Sequence, residues 1–291
     1  MNFLSNAISG LSLGSIYALI ALGYTMVYGI AKMLNFAHGD IIMVGAFAAI
    51  VSVVSLGFSP IIAIIVCIAV CVIFGVLIEK LAYKPLRTAP PLSVLITAIG
   101  VSYFLQSIAL IIFGSNQRSF PKIINVSPVH IGGLTINGES IATLIVSIII
   151  MICLTLFINK TKMGKAMRSV SEDKEAAELM GVSVNKTIST TFAIGSSLAA
   201  VAGIFFGSTY GFIGPYSGSM PGIKAFVAAV FGGIGSIPGA MVGGILLGII
   251  ESMSKAYIST ELSDAIVFGI LIIVLLFKPT GLLGKKINEK V

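Results

Sequence analysis

Charge is what this chain has least of. Its 291 residues include 18 Lys and Arg and 11 Asp and Glu, so 10% are charged, where a soluble domain carries about a quarter. No long polar segment is left from which a separate soluble domain could be built. Histidine occurs twice and cysteine three times. His38 has no second His or carboxylate cluster at ligand spacing, and His130 lies in a polar loop, so no metal site is expected. Cys67 and Cys71 fall within one apolar run and Cys153 stands alone in another, which excludes a disulfide framework or a zinc knuckle and leaves the thiols as small core groups. There is no GxxxxGK[ST] loop, no nucleophile paired with a base and no carboxylate pair for acid–base work. A non-catalytic chain without a cofactor is therefore expected. Mid-helix carboxylates, which a proton- or sodium-coupled carrier would use, are almost missing. Glu251 is the main one, with Lys255 a turn further along.

What is present is apolar. Hydrophobic residues make up 57% of the chain and the mean hydropathy is +1.08, which together define an integral membrane protein. The net charge of +7 does not point to nucleic acid, because the cations sit between apolar runs and form no stripe beside aromatics. Residues 1–5 lack Lys and Arg, so the first run is expected to be kept as a helix instead of being cleaved as a signal peptide.

The apolar runs predict an all-α polytopic fold. They cover residues 7–31, 41–58, 61–78, 92–113, 141–158, 188–206, 224–234, 240–256 and 262–277. Most approach the length of about 20 helical residues that spans a hydrocarbon core. The seventh is short, so the reading is nine crossings, with eight crossings plus a re-entrant half-helix as the alternative. Gly10/Gly14, Gly239/Gly243 and Gly244/Gly248 are GxxxG pairs suited to close helix contact. The loop 114–140 carries Pro121, Pro128, Gly132-Gly133 and the alternating Leu134-Thr135-Ile136, which suggests a folded loop with a short hairpin.

Two breaks are candidate linings of a substrate route. Asn35, His38 and Asp40 fit either a capped turn at a membrane surface or a broken helix beside a water-filled path. Gly232, Gly233 and Gly235 lie in the short, Gly-interrupted seventh region.

The longest polar stretch inside the apolar pattern, 159–187, contains ten of the 29 charged residues and reads as a cytoplasmic loop. Ser171 is placed to cap a short helix starting at Glu172, and Gly181 to end it. Asp173, Ala176, Ala177 and Met180 would then share a small-residue face, flanked by Glu175 and Glu178. With this loop inside, 14 of the 18 Lys and Arg fall on the cytoplasmic side. Arg118, Lys122, Lys224 and Lys255 remain outside, which orients the N-terminus outside and the C-terminus inside.

Glu175-Ala176-Ala177, three residues and Gly181 resemble the EAA loop of ATP-binding-cassette importer permeases. The wider stretch AMRSVSEDKEAAELMGVSV, the segment GSIYALIALGYTMVYG with NFAHGD, and GIKAFVAAVFGGIGSIPGAMVGGILLG resemble the branched-chain amino acid permease family. The resemblance covers most of the chain and implies a LivH-type permease subunit in the plasma (inner) membrane. It implies a single permease domain over 1–291, with 159–187 as the coupling loop. Two ATPase subunits, a second related permease and an extracytoplasmic amino-acid-binding protein would be its partners. Glu175, Ala176, Ala177 and Gly181 would contact the ATPase, and leucine, isoleucine and valine would be the cargo. Ile188-Ser189-Thr190-Thr191 stands where the broader EAA pattern has Ile-x-Leu-Pro, which leaves the docking geometry open. Related permeases for urea or short amides, or an ATP-independent channel or secondary carrier, are the alternatives.

Overall fold

A computed structural model describes residues 2–131 and 134–284. The helices are α1 (Asn2–Ala31), α2 (His38–Ile50), α3 (Pro60–Ile78), α4 (Pro91–Phe113), α5 (Gly138–Lys160), α6 (Lys162–Glu172), α7 (Lys174–Leu179), α8 (Val184–Tyr210), α9 (Ser219–Gly232), α10 (Ile237–Tyr257) and α11 (Ser263–Phe277). Wider π and 3-10 turns carry α2 on to Ser55 and α3 on to Leu86. Among the described residues, seven helices are long and apolar enough to cross a membrane, and α9 and α11 are shorter. The elements begin and end where the backbone chemistry dictates. Pro60 and Pro91 open α3 and α4, where a missing N–H is harmless. Ser236 caps α10 by accepting from Gly239 N at 3.2 Å.

Four short strands close one end of the bundle. β1 (Arg118–Ser119) pairs antiparallel with β4 (Phe212–Ile213), and β2 (Val129–Ile131) pairs with β3 (Leu134–Ile136) as the expected hairpin. Its Gly132-Gly133 tip lies outside the described residues, as do the tail cations Lys285, Lys286 and Lys290.

The N-terminal helix is the centre of the molecule. Ile16, Leu19, Ile20, Ala21 and Leu22 are buried on successive faces of α1, the pattern of a helix enclosed all round. It packs on α10, α8, α9 and α5. Gly10 and Gly14 meet Gly244 and Gly248 of α10, and a Cβ at Gly14 would lie 2.7 Å from Ile245 Cα. The two GxxxG pairs thus face each other at backbone contact, where apolar lipid gives no hydrophobic drive and close packing must supply the attraction. At the periphery, Ile65 and Ile73 of α3, Ile96 and Ile111 of α4, Ile149 of α5 and Leu276 of α11 point outward, as lipid-facing side chains do.

Two helices start inside the bundle. His38, at the start of α2, lies against Gly23 of α1, which is eight residues before the end of that helix, about 12 Å along its axis. Residues 32–37 lead there without helix. α9 likewise begins where Gly218 and Gly222 meet the backbone of Gly39. The seventh apolar run expected at 224–234 is this helix. It starts earlier, at Ser219, and its 14 residues reach roughly 21 Å.

Gly14→Val is expected to lower the melting temperature of the detergent-solubilised protein by the equivalent of about 1–3 kcal/mol, the cost of overpacking. Gly100→Val, where a Cβ meets nothing within 4 Å, should leave it nearly unchanged. Indistinguishable melting of the two variants would refute the backbone contact.

Candidate functional site: a coupling helix and a polar junction between two half-helices

The loop 159–187 folds into a pair of helices with defined caps. Thr161 opens α6 by accepting from Gly164 N at 3.0 Å. Met167 and Val170 are its inward face. Asp173 is extended, at φ −152°, and separates α6 from α7. Its carboxylate accepts from Glu175 N at 2.9 Å and Ala176 N at 3.0 Å, while its own N–H still closes α6 on Ser169 O at 3.1 Å. This corrects the expected cap. Ser171 remains within α6 and donates back to Arg168 O at 2.7 Å, because the aspartate two residues on can satisfy two N–H groups of the next helix at once. Gly181, at φ +82°, ends α7 as expected. Gly181 N donates to Glu178 O and Val182 N to Ala177 O, both at 2.9 Å, the paired closure that a left-handed residue permits.

The exposed surface of α7 differs from the expected face. Ala177 is buried against the bundle. Glu175, Ala176 and Glu178 are exposed, and Leu179 and Met180 are 88% and 84% exposed. Two large apolar side chains thus stand in the open beside two carboxylates at the tip. The helix is also tied down by contacts that no periodicity announces. Lys174 Nζ donates to Ala31 O at 3.0 Å at the end of α1. Burial, and then the neighbouring cations Arg87 and Lys32, hold the Lys174 ammonium below the usual lysine range. Next to it, buried Glu79 pairs with Arg87 and accepts from Ser189 Oγ at 2.6 Å, and Arg87 also donates to Asn185. These bonds fasten the α3–α4 turn to α8.

The second feature lies deeper. Asn35 is buried, and its Oδ1 accepts from Tyr83 Oη at 2.9 Å. His38 is buried edge-on against Tyr24, with ring centroids 4.9 Å apart. Its ring occupies the space a Cβ at Gly23 would fill. Asp40 Oδ1 accepts from Gln106 Nε2 at 2.9 Å, and the same amide nitrogen is 3.1 Å from Ser219 Oγ and 3.2 Å from Ser102 Oγ. One side chain of α4 therefore bridges the first turns of α2 and α9. Asn35 and His38 are both buried beside this junction.

The glycines 232–239 do something else. Gly232 packs on Gly239, and Gly232 O and Phe231 O accept from Leu283 N and Leu282 N at 2.8 Å. Gly233 lies against Gly284. These two glycines seat the segment after α11. Gly235 is exposed and helps line a cavity of about 100 Å³ with Gly29 of α1 and Arg168 and Ser171 of α6.

A buried ion cluster is also assembled from distant segments. Glu251 Oε1 accepts from Lys224 Nζ at 2.8 Å and Lys255 Nζ at 2.6 Å, and its Oε2 accepts from Tyr17 Oη at 2.9 Å. Lys224 also reaches Asp264 at 2.6 Å. The i, i+4 spacing left Lys255 as a partner of Glu251 or a snorkelling end group, and the structure pairs the two. Lys224, expected in an outside loop, is instead buried on α9, where two carboxylates neutralise it.

Glu251→Ala should destabilise the solubilised protein by about 3–5 kcal/mol, because a buried lysine loses a partner. Replacing both Lys224 and Glu251 with Met should recover most of that loss. Thermal melts in which the single variant matches the native chain would rule out this role.

Residues 6–275 match the family described as "Branched-chain amino acid transport system / permease component". The chain is 45% identical over 302 aligned positions to the "High-affinity branched-chain amino acid transport system permease protein LivH" of Escherichia coli (strain K12), covering 99% of this chain and 98% of that one. It is 42% identical to the "High-affinity branched-chain amino acid transport system permease protein BraD" of Pseudomonas aeruginosa, covering 100% and 98%. The "Probable branched-chain amino acid transport permease protein LivH" of Methanocaldococcus jannaschii is 31% identical, with 93% and 89% covered.

Proposed function

The chain belongs to the family of branched-chain amino acid transport system permease components, and on that premise we propose that it carries leucine, isoleucine and valine through the inner membrane as one subunit of an ATP-driven importer. The observation that carries this reading is similarity extending over nearly the whole of both chains, in a molecule whose exposed polar helix ends in two unpartnered apolar side chains. Separate ATPase subunits hydrolyse ATP and seat a groove over Glu175, Ala176, Glu178, Leu179 and Met180. Ala177 and Gly181 act from behind, the first as the packing face of α7 and the second as the turn that sets its exit. A second related permease completes the membrane path, and an extracytoplasmic binding protein delivers the zwitterion.

The cytoplasmic end is then the one holding α6, α7, the α3–α4 turn and the α9–α10 turn. Lys32, Lys80, Lys84, Arg87 and the cations of 159–187 gather there, as the positive-inside bias requires. With Lys224 neutralised inside the bundle, Arg118, Lys122 and Lys255 are left at the other end. Nine crossings fit this arrangement. β4 lies at the outer end with β1, and α9 finishes at the inner end against the segment after α11. The seventh crossing of the nine-crossing reading is then part non-helical chain and part half-helix, in place of the re-entrant alternative. Irregular backbone at such depth is tolerated beside protein or a water-filled path, and half-helices meeting near the midplane are where transporters place their route. Movement of α7 reaches this junction through the end of α1, to which Lys174 is bonded, and Asn35, His38 and Asp40 open to substrate when α2 and α9 separate.

Gly181→Pro removes both the left-handed turn and the N–H to Glu178. In vesicles containing the full complex, it should cut ATP-driven uptake of radiolabelled leucine and valine more than tenfold while membrane insertion is unchanged. Leu179→Asp should do the same by blocking ATPase binding. Undiminished uptake by both variants would remove the coupling role, and transport of urea in preference to leucine would replace the cargo.

A further inference from the structure

The inner end holds a cavity that the transport reading leaves unused. It measures about 400 Å³ and lies between the end of α1, the α3–α4 turn and α7, within the range of small-molecule sites. Three cations line it: Lys32, Arg87 and Lys174. Glu79 is the carboxylate paired with Arg87, and Lys174 is held by a backbone carbonyl. Excess positive charge is therefore left facing the space. Two details mark it as unfinished. Arg87 Nε is buried and has no hydrogen-bond partner among the described residues. Lys32 has φ +59°, and no other non-glycine among the described residues has positive φ. Glycine would hold that turn at less cost. Such an outlier is a reason to ask what its side chain does, and the side chain lines the cavity.

Apart from Tyr28, the remaining side chains of the lining are apolar. Leu86, Val94 and Leu95 face the same space. Leu81 and Leu92, on either side of the turn, are 75% and 65% exposed, as lipid-facing side chains are. Two ammonium groups suit a phosphoryl group, beside an Arg87 guanidinium whose terminal nitrogens already hold Glu79 and Asn185 and whose charge adds to the local field; basic pockets between membrane helices on the cytoplasmic side suit anionic headgroups. Burial is the first cause of the lowered proton affinity of Lys174, and Arg87 and Lys32 add to it.

We propose that this cavity binds the phosphoryl headgroup of an anionic phospholipid from the inner leaflet, held by Lys32 and Lys174 in the field of Arg87, with its glycerol end against Leu86, Val94 and Leu95. The lipid then bridges α1 to the coupling helix, completing a charge balance that the chain alone does not reach. The proposal depends on this end lying at the inner membrane surface and not on which amino acid is carried.

The test uses the purified full-length chain and phosphatidylglycerol, with phosphatidylcholine and inorganic phosphate as comparison ligands. Native mass spectrometry should show one retained phosphatidylglycerol per chain, and melting temperature should rise with phosphatidylglycerol and with neither comparison. Lys32→Gly removes one cation and relieves its backbone. It should melt no lower than the native chain in phosphatidylcholine, yet bind phosphatidylglycerol about tenfold more weakly. Lys174→Gln should weaken binding similarly. Equal retention of the two lipids, stabilisation by inorganic phosphate alone, or native phosphatidylglycerol affinity in both variants would overturn the proposal. None of these readouts involves transport, so they stand apart from the uptake experiments.

Discussion

The backbone contact between α1 and α10 at Gly14 and Gly248 is the constraint on which the other elements depend. In lipid, two apolar helices gain little by hiding from their surroundings, and attraction comes from how many atoms touch. Removing side chains at the crossing lets backbones approach until dispersion contacts accumulate along both helices. Because α1 is also enclosed by α5, α8 and α9, its position fixes theirs. The Gly239/Gly243 pair repeats the device on the other side of α10, where Gly243 lies against Ala228 and Gly232 of α9.

Inside that frame the chain tolerates two interruptions that a lipid-exposed helix could not. α2 and α9 both begin within the bundle, and their first turns are joined by Gln106 through Asp40 and Ser219. Buried polar groups are expensive unless paired, so a single amide bridging two helix starts both satisfies them and holds them in register. The ion cluster around Glu251 adds a second tie, from α9 to α1, α10 and α11. These half-helices are held by few polar bonds, whereas α1 is a continuous helix packed against α5, α8, α9 and α10. α7 is tied to this helix directly, because Lys174 is bonded to the last carbonyl of α1.

Much of this was legible in the residues. The membrane class followed from composition, and all nine apolar segments are helices whose limits differ from expectation by a few residues, since caps and prolines lie at segment edges. Gly181 was identifiable as the end of the short helix in 159–187 because a glycine after a short polar helix has one common use. Its start was misplaced by two residues, from Glu172 to Lys174, since Ser171 and Asp173 are both good caps and only the break at Asp173 decides between them. Spacing put Ala177 on the outward docking face, whereas it is buried, because a two-turn polar helix has no apolar stripe strong enough to orient it.

The amino-acid sequence by itself determined that the chain lives in a membrane, which segments are helical, where they pack closely and to which family it belongs. Those properties are carried by neighbouring residues and by composition. Tertiary structure alone decided that Gln106 joins Asp40 to Ser219, that Lys224 is interior, that Gly232 and Gly233 seat the segment after α11, and that Lys32, Arg87 and Lys174 share one cavity. Each of these depends on residues brought together from distant segments, and a polar side chain's partner is set by where helices cross and not by its distance along the chain.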